Sequence, residues 1–214
     1  MGLGGGAPVS RVLALGAHAD DIEIGCGGTL LELAGRHDGL QILFVVLSGD
    51  EPRASEARES AEALLGDAVA LTVEVAGFRD GYFPYEGAAV KDAFEDLKER
   101  FEPDLVLTHH RHDLHQDHRL VCELTWNTFR DHLILEYEVP KYDGDIGTPN
   151  VFVHLSEDVV RRKVDALLTH FPSQRGRRWF TEDLFLALLR LRGMESNSPT
   201  GWAEAFHSRK LVLA

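Results

Sequence analysis

The sequence predicts an α/β fold: a Rossmann-like, mostly parallel sheet with helices on both faces, with the C-terminal strands and helices added to the same core. Two observations predict it. Short β-branched or leucine-rich runs alternate with stretches of helical periodicity, and the runs are apolar almost throughout, as strands covered on both faces are. RVLALGA (11–17) reads as the first strand and TLLELAGRH (29–37) as the first crossover helix. LQILFVVLSG (40–49) is the second strand, followed by the helix SEARESAEALLG (55–66), which Gly66 closes in a C-cap position. ALTVEVAG (70–77), the helix AVKDAFEDLKERF (89–101) and DLVLTHH (104–110) continue the alternation. Beyond residue 118 the pattern loosens into a helix around RLVCELTWNTF, a strand LILEYEV (133–139), a polar turn-rich stretch (141–150), a strand VFVHL and helices near 157–170 and 181–191. No internal repeat or low-complexity linker divides the chain, so residues 1–214 read as a single domain.

Composition removes several classes of partner. The net charge of −13, from 35 acidic against 22 basic residues, repels a phosphate backbone, and no Lys/Arg-rich run offsets it, so no nucleic-acid partner is expected. No apolar window reaches the roughly 20 residues that span a bilayer. Cys26 and Cys122 are too few for a disulfide framework and form no CxxC, which marks them as buried small hydrophobes. The start MGLGGGAPVSRVL lacks the pattern of a signal peptide, so a cytoplasmic location is expected.

Chemistry concentrates at two places, both at the carboxyl ends of predicted parallel strands, where such sheets open a ligand crevice. His18, Asp20 and Asp21 follow the first strand, and the fourth runs into HHRHDLHQDH (109–118), which holds five of the chain's 11 histidines. Imidazole and carboxylate are ordinary zinc ligands, and a catalytic zinc takes three of them. An aspartate after a strand also serves as a helix N-cap, and a histidine-rich loop also occurs as solvated surface or a loose metal-scavenging tract. The coincidence of both clusters at one end of one sheet favours a shared metal site. A nucleotide-binding Rossmann site fits poorly, because GAHADDIEIGCGG lacks the GxGxxG order and its carboxylates would repel a pyrophosphate.

AHADDIEIGCGGTL (17–30) resembles the AHPDDxExGCGGTL signature of the PIG-L or LmbE-like family of zinc-dependent N-acetyl-sugar deacetylases, and HDLHQDH (112–118) resembles that family's HxDH motif. SGDE (48–51), RDG (79–81), FPSQ (171–174) and GWAEAFHSRKL (201–211) resemble further segments of it. Ala19 stands where the family has proline, a change that affects loop rigidity and removes no ligand. The resemblance implies removal of an acetyl or other acyl group from an N-acylated amino sugar or its conjugate, giving acetate and a free amine. It implies Zn2+, held by His18, Asp21 and His118; the same donor set also suits Fe2+. Asp20 is then the general base, and a protonated His115, oriented by Asp117, donates to the developing oxyanion. Arg53, Arg58, Asp80, Lys141 and Tyr142 are candidate substrate contacts, with Arg58 alternatively paired to Glu62 on a helix face. Glu23 is expected to oppose the dipole of a helix starting near 27–29. Gly27 and Gly28 suit a phosphate-cradling turn or close packing. Trp179, Phe180 and Phe185 are expected in the core or in a subunit contact. The partner is a small-molecule N-acyl amino sugar, in a homo-oligomer by family resemblance. The alternatives are a zinc amidase for a different amide conjugate and a non-catalytic sugar-binding module.

Overall fold

A computed structural model describes residues 9–212. The leader reading of the first eight residues lies outside them. In chain order the elements are β1 (Arg11–Gly16), α1 (Asp21–Ala34), β2 (Gln41–Ser48), α2 (Glu51–Leu65), β3 (Ala70–Phe78), α3 (Gly87–Arg100), β4 (Leu105–His109), α4 (Gln116–Thr128), β5 (Leu133–Tyr137), β6 (Val151–His154), α5 (Glu157–His170), α6 (Glu182–Glu195) and β7 (Ala203–His207). They build one sheet in the order β3-β2-β1-β4-β5-β7-β6. The first five strands run parallel, and β7 is antiparallel to both β5 and β6.

Alternation within β1 separates two cores. Val12 and Ala14 join Phe44, Leu64, Val160 and Leu167 on one face, whereas Leu13 and Leu15 join Val45, Phe94, Val121 and Phe129 on the other. A strand buried on both faces reads as a continuous apolar run, which is why β1, β2 and β4 were legible. The strand order reverses at β1, which pairs with β2 on one side and β4 on the other. In such sheets the crevice opens beyond the carboxyl ends at this switch point. His18 and His109 stand on its two sides.

The helix starts differ from the sequence reading, and the cause is tertiary. The first helix begins at Asp21 rather than near 29, taking in Gly25, Gly27 and Gly28, residues that disfavour a helix in isolation. Packing requires two of them. A Cβ on Gly25 would lie 2.1 Å from the Tyr137 ring, and one on Gly28 would meet Leu155 and Glu204. Gly28 therefore serves close approach, a Cβ on Gly27 would make only ordinary contact with Leu64, and both lie inside the helix and not in a phosphate-cradling turn. The Tyr137 ring cannot yield freely, because its hydroxyl donates to the Leu15 carbonyl at 2.6 Å. Gly25→Ala is expected to destabilise the fold by about 2 kcal/mol or more, the range of overpacked cores, read as a fall in the urea midpoint. An unchanged midpoint would remove this reason for the glycine. α2 likewise starts early, at Glu51, where the Asp50 carboxylate accepts from the Arg53 N–H and Pro52 sits in the first turn. Strand β7 was visible only through resemblance.

Several buried charges are held in ion pairs. Glu204 accepts from the Gly28 and Thr29 N–H groups and the Thr29 hydroxyl, and its ion pair with Lys163 is 2.5 Å long. Lys163 also donates to the Ile24 carbonyl, so α5 and β7 grip the middle of α1. Glu136 on β5 takes His110 Nδ1 at 2.9 Å, the Arg111 N–H at 3.0 Å, Trp126 Nε1 at 2.7 Å and Arg209 Nε at 2.5 Å. Burial alone would raise its pKa, but these partners bring it down to about 2. Its contribution is present above the carboxylate's ordinary pKa of about 4.3 and is lost as pH falls through that value toward 2. Glu136→Gln is therefore expected to lower stability at pH 7 and to flatten the loss of stability between these pH values in urea titrations. A parallel loss in both proteins would sink the prediction.

Candidate active site

The loop after β1 is fastened before it reaches the first polar cluster. The Ser48 N–H and hydroxyl both donate to the Ala17 carbonyl, and the Ala17 N–H donates to His109 Nε2 at 2.9 Å. Ala19 is buried in the core. Asp20 occupies the N-cap position of α1, yet its side chain makes no capping bond. Its Oδ1 accepts from the Arg53 guanidinium at 3.0 Å instead. Asp21 Oδ2 reaches back to the His18 N–H at 2.7 Å. Capping therefore explains neither carboxylate.

From the opposite wall, α4 begins with His115 as its N-cap, where Nδ1 accepts the Asp117 N–H at 3.3 Å. His118 lies one turn further on. Its Nδ1 faces Asp113 Oδ2 at 2.8 Å, and since a carboxylate only accepts, Nδ1 carries the proton. Burial lowers the pKa of His118 to about 4, so the ring is neutral at pH 7 and its lone pair is on Nε2.

That lone pair closes a triangle. His18 Nδ1 lies 3.1 Å from His118 Nε2 and 3.3 Å from Asp21 Oδ2, and the latter two are 3.4 Å apart. Ligands on a tetrahedral zinc, with bonds of about 2.0–2.1 Å, stand about 3.3–3.4 Å from one another. The remaining nitrogen of each ring faces carboxylates: His118 Nδ1 faces Asp113, and His18 Nε2 lies 3.1 Å from Asp80 and 3.3 Å from Asp117. Outer carboxylates of this kind orient metal-binding imidazoles. The donor set thus fits a divalent cation. The electrostatics agree. Burial works against a proton on His18, but Asp21, Asp117 and Asp80 overcome it and raise its pKa well above the ordinary value. Burial would raise Asp21, but His118, His109 and His18 outweigh it and hold it well below the ordinary range.

His109, His115 and Asp80 also fall into groups of potential ligands within 4.8 Å. His109 stacks on His118 with centroids 3.8 Å apart, but the Ala17 N–H already occupies its Nε2. It supports the cluster from behind. Asp20 remains outside the triangle, and burial, against the pull of Arg53, pushes its pKa up to about 6.

The crevice, about 380 Å³, is lined by His18, Asp20, Asp21, His115 and His118 together with Arg53, Asp80, Lys141 and Tyr142. Lys141 is already paired with Asp113 at 2.9 Å and Asp145 at 2.6 Å, and Tyr142 is an exposed rim. Four expectations need correction. Arg58 lies on the exposed side of α2 and does not line the crevice. The Asp117 carboxylate does not orient His115: it accepts from the Gly81 N–H at 2.6 Å and the Phe83 N–H at 3.1 Å and faces His18. Gly81 has φ +78°, a conformation that suits glycine and turns its N–H into Asp117. Burial and the neighbouring His18 lower the pKa of His115, so its ring is neutral at pH 7 instead of protonated. Glu23 sits in the first turn of α1, fully buried, with neither carboxylate oxygen hydrogen-bonded, and burial pushes its pKa up to about 8. A mostly neutral acid does little for a helix dipole.

Sequence reasoning missed Asp113, although it lies within HDLHQDH, and the far wall. Phe180 and Phe185 do lie in the core, and Trp179 packs against it while also lining the crevice with Gln174 and Arg177. FPSQ is tied to the site because the Ser173 hydroxyl donates to Glu56 at 2.6 Å and accepts from Arg53 at 3.1 Å.

Residues 13–129, which contain the triangle and its outer carboxylates, match the family model described as PIG-L, GlcNAc-PI de-N-acetylase. The chain belongs to the PIG-L family. A relative in Escherichia coli (strain K12), named "Uncharacterized deacetylase YaiS", is 33% identical over 169 residues, covering 74% of this chain and 89% of the relative. Among solved structures, N,N'-diacetylchitobiose deacetylase from Pyrococcus horikoshii superposes with TM-score 0.72 at 22% identity, over 94% of this chain and 84% of that one. GalB, the 4-carboxy-2-hydroxymuconate hydratase from Pseudomonas putida KT2440, superposes with TM-score 0.77 at 18% identity, over 96% and 98%. The fold thus hosts more than one reaction, and the chemistry must be argued from the site. No helix among the described residues is long and apolar enough to cross a membrane.

Proposed function

We propose that this PIG-L family member is a zinc-dependent hydrolase that removes the acyl group from an N-acetylated amino sugar or its conjugate. The observation that carries the reading is the triangle of His18, Asp21 and His118 donor atoms with Asp20 beside it and outside it. A divalent ion held there would supply a Lewis acid, lowering the pKa of water and polarising an amide carbonyl. Arg53 occupies Asp20 Oδ1, which leaves Oδ2 to take the proton from the attacking water and later deliver it to the leaving amine. A pKa near 6 suits both transfers. His115 accepts the Asp117 N–H through Nδ1. Its neutral ring therefore carries N–H at Nε2 and donates to the carbonyl oxygen as negative charge develops there. The products are acetate and a free amine.

A sugar suits the remaining lining. Asp80, Arg53, Gln174 and Arg177 offer hydrogen bonds to hydroxyls, and Trp179 and Tyr142 offer apolar ring faces. The free, buried cysteines suit a reducing compartment such as the cytoplasm. Acetate release from a panel of N-acetylglucosamine compounds, with the protein as purified, after chelation and after zinc is restored, tests the reading. Turnover that chelation abolishes and zinc restores is the expected result. Turnover that survives complete chelation would sink the metal role, and failure to release acetate from any N-acyl sugar would sink the substrate class.

A further inference from the structure

Three distant parts of the chain converge on one guanidinium. Arg53 stands in the first turn of α2, and its Nη2 donates to Asp20 Oδ1 at 3.0 Å. Its Nη1 donates to the Ser173 hydroxyl at 3.1 Å, and its Nε lies 3.9 Å from Oε2 of Glu56, three residues further along the same helix. Ser173 belongs to the short 3-10 turn Pro172–Gln174 that follows α5. Among the described residues Arg53 is the one hydrogen-bond partner of the Asp20 carboxylate, so whatever orients Arg53 also orients Asp20.

The single proton of the Ser173 hydroxyl is committed. Glu56 is a buried carboxylate that only accepts, so Ser173 Oγ donates to its Oε2 at 2.6 Å, while the Ser173 N–H donates to Oε1 at 2.8 Å. Both lone pairs of the hydroxyl are filled from the other side, by Arg53 Nη1 and by Gln174 Nε2 at 3.2 Å. Rotating the hydroxyl breaks at least one of these three bonds. Because the guanidinium is planar, holding Nη1 on Ser173 and Nη2 on Asp20 fixes the plane itself. Docking the crevice wall against α2 would need only the Ser173 N–H on Glu56. The hydroxyl adds a link that runs on to Arg53 and stops at Asp20.

We infer that Ser173 and Glu56 are positioning residues for Asp20, acting through Arg53: Glu56 sets the Ser173 hydroxyl, the hydroxyl sets the guanidinium, and the guanidinium holds Asp20 Oδ1 so that Oδ2 stays free for the water. The kinetic consequence rests on Asp20 being the general base; the clamp itself does not.

The clamp is tested without turnover by NMR of the arginine side chains in the 15N-arginine-labelled, zinc-loaded full chain, with the Arg53 signals assigned by their loss in Arg53→Lys. Separate, slowly exchanging Nη signals of Arg53 should be present in the unchanged protein, merge in Ser173→Ala, and return in Ser173→Thr, which keeps the hydroxyl. In acetate-release assays Ser173→Ala should lower kcat about 10-fold or more, within the roughly 10²-fold that a misplacement of about 1 Å costs, with KM and zinc content unchanged and with kcat restored in Ser173→Thr. Glu56→Gln, whose amide turns donors toward one of the two Ser173 donors, should lower kcat as well, and the double variant should lose no more than the larger single loss. In the Asp20→Asn background Ser173→Ala should cost nothing further, because no base is left to position. Arg53 signals that stay separate in Ser173→Ala, an unchanged kcat in an active Ser173→Ala protein, or the same fold-loss from Ser173→Ala on top of Asp20→Asn would each overturn the inference. Absence of acetate release by the unchanged protein, with the Arg53 signals behaving as expected, would instead overturn the deacetylase reading and leave the clamp standing.

Discussion

Replacing Asp20 with Asn is expected to lower turnover by about 10²- to 10⁴-fold, the usual loss of a general base, with the zinc content of the protein unchanged. The reason is geometric. Asp20 and Asp21 are adjacent in sequence, but α1 begins between them, so Asp21 Oδ2 turns back to the triangle while Asp20 faces Arg53. The amide of Asn keeps an oxygen for the Arg53 guanidinium and loses the capacity to take a proton. A fall in kcat with metal retained distinguishes a lost proton acceptor from a lost ligand. Full activity in a metal-loaded Asp20→Asn protein would refute the assignment.

Replacing His118 or Asp21 with Ala is expected to remove both bound zinc and activity, with metal measured by elemental analysis after exhaustive dialysis. Each supplies one corner of the triangle, and two corners no longer make the three-ligand set of a catalytic zinc. Asp113→Ala should have a graded effect, weakening metal affinity about 10- to 100-fold as the loss of an outer carboxylate does, because it orients the His118 ring without joining the triangle. An unchanged zinc stoichiometry in His118→Ala and Asp21→Ala would remove them as ligands. A zinc affinity in Asp113→Ala equal to that of the unchanged protein would remove its orienting part.

Strands β1, β2 and β4 were legible because burial on both faces writes them as apolar runs, whereas the switch point between β1 and β4 is set by the strand pairing. The two polar clusters were legible for a related reason, since carboxylates and histidines at strand ends have no part in the core. Helix starts were not. Glycine-rich GCGG argues locally against a helix, and only the Tyr137 ring against Gly25 and the Glu204 carboxylate against Gly28 show why those residues sit inside one. Trp179 is expected in the core or a subunit contact from the spacing it shares with Phe180 and Phe185; it does pack against the core, but it also lines the crevice, which spacing does not report.

By itself, the sequence determined the α/β class, the parallel sheet and the histidine and aspartate clusters that meet across it, because periodicity and residue chemistry are local properties. Tertiary structure alone decided which atoms face each other. Asp117 turned out to serve His18 and not His115, Arg58 to point away from the crevice, and Asp113 to hold His118. Those choices depend on helix phase and on side-chain directions set by packing between residues about a hundred positions apart, as with His18 and His118, which the order of residues along a strand or loop does not encode.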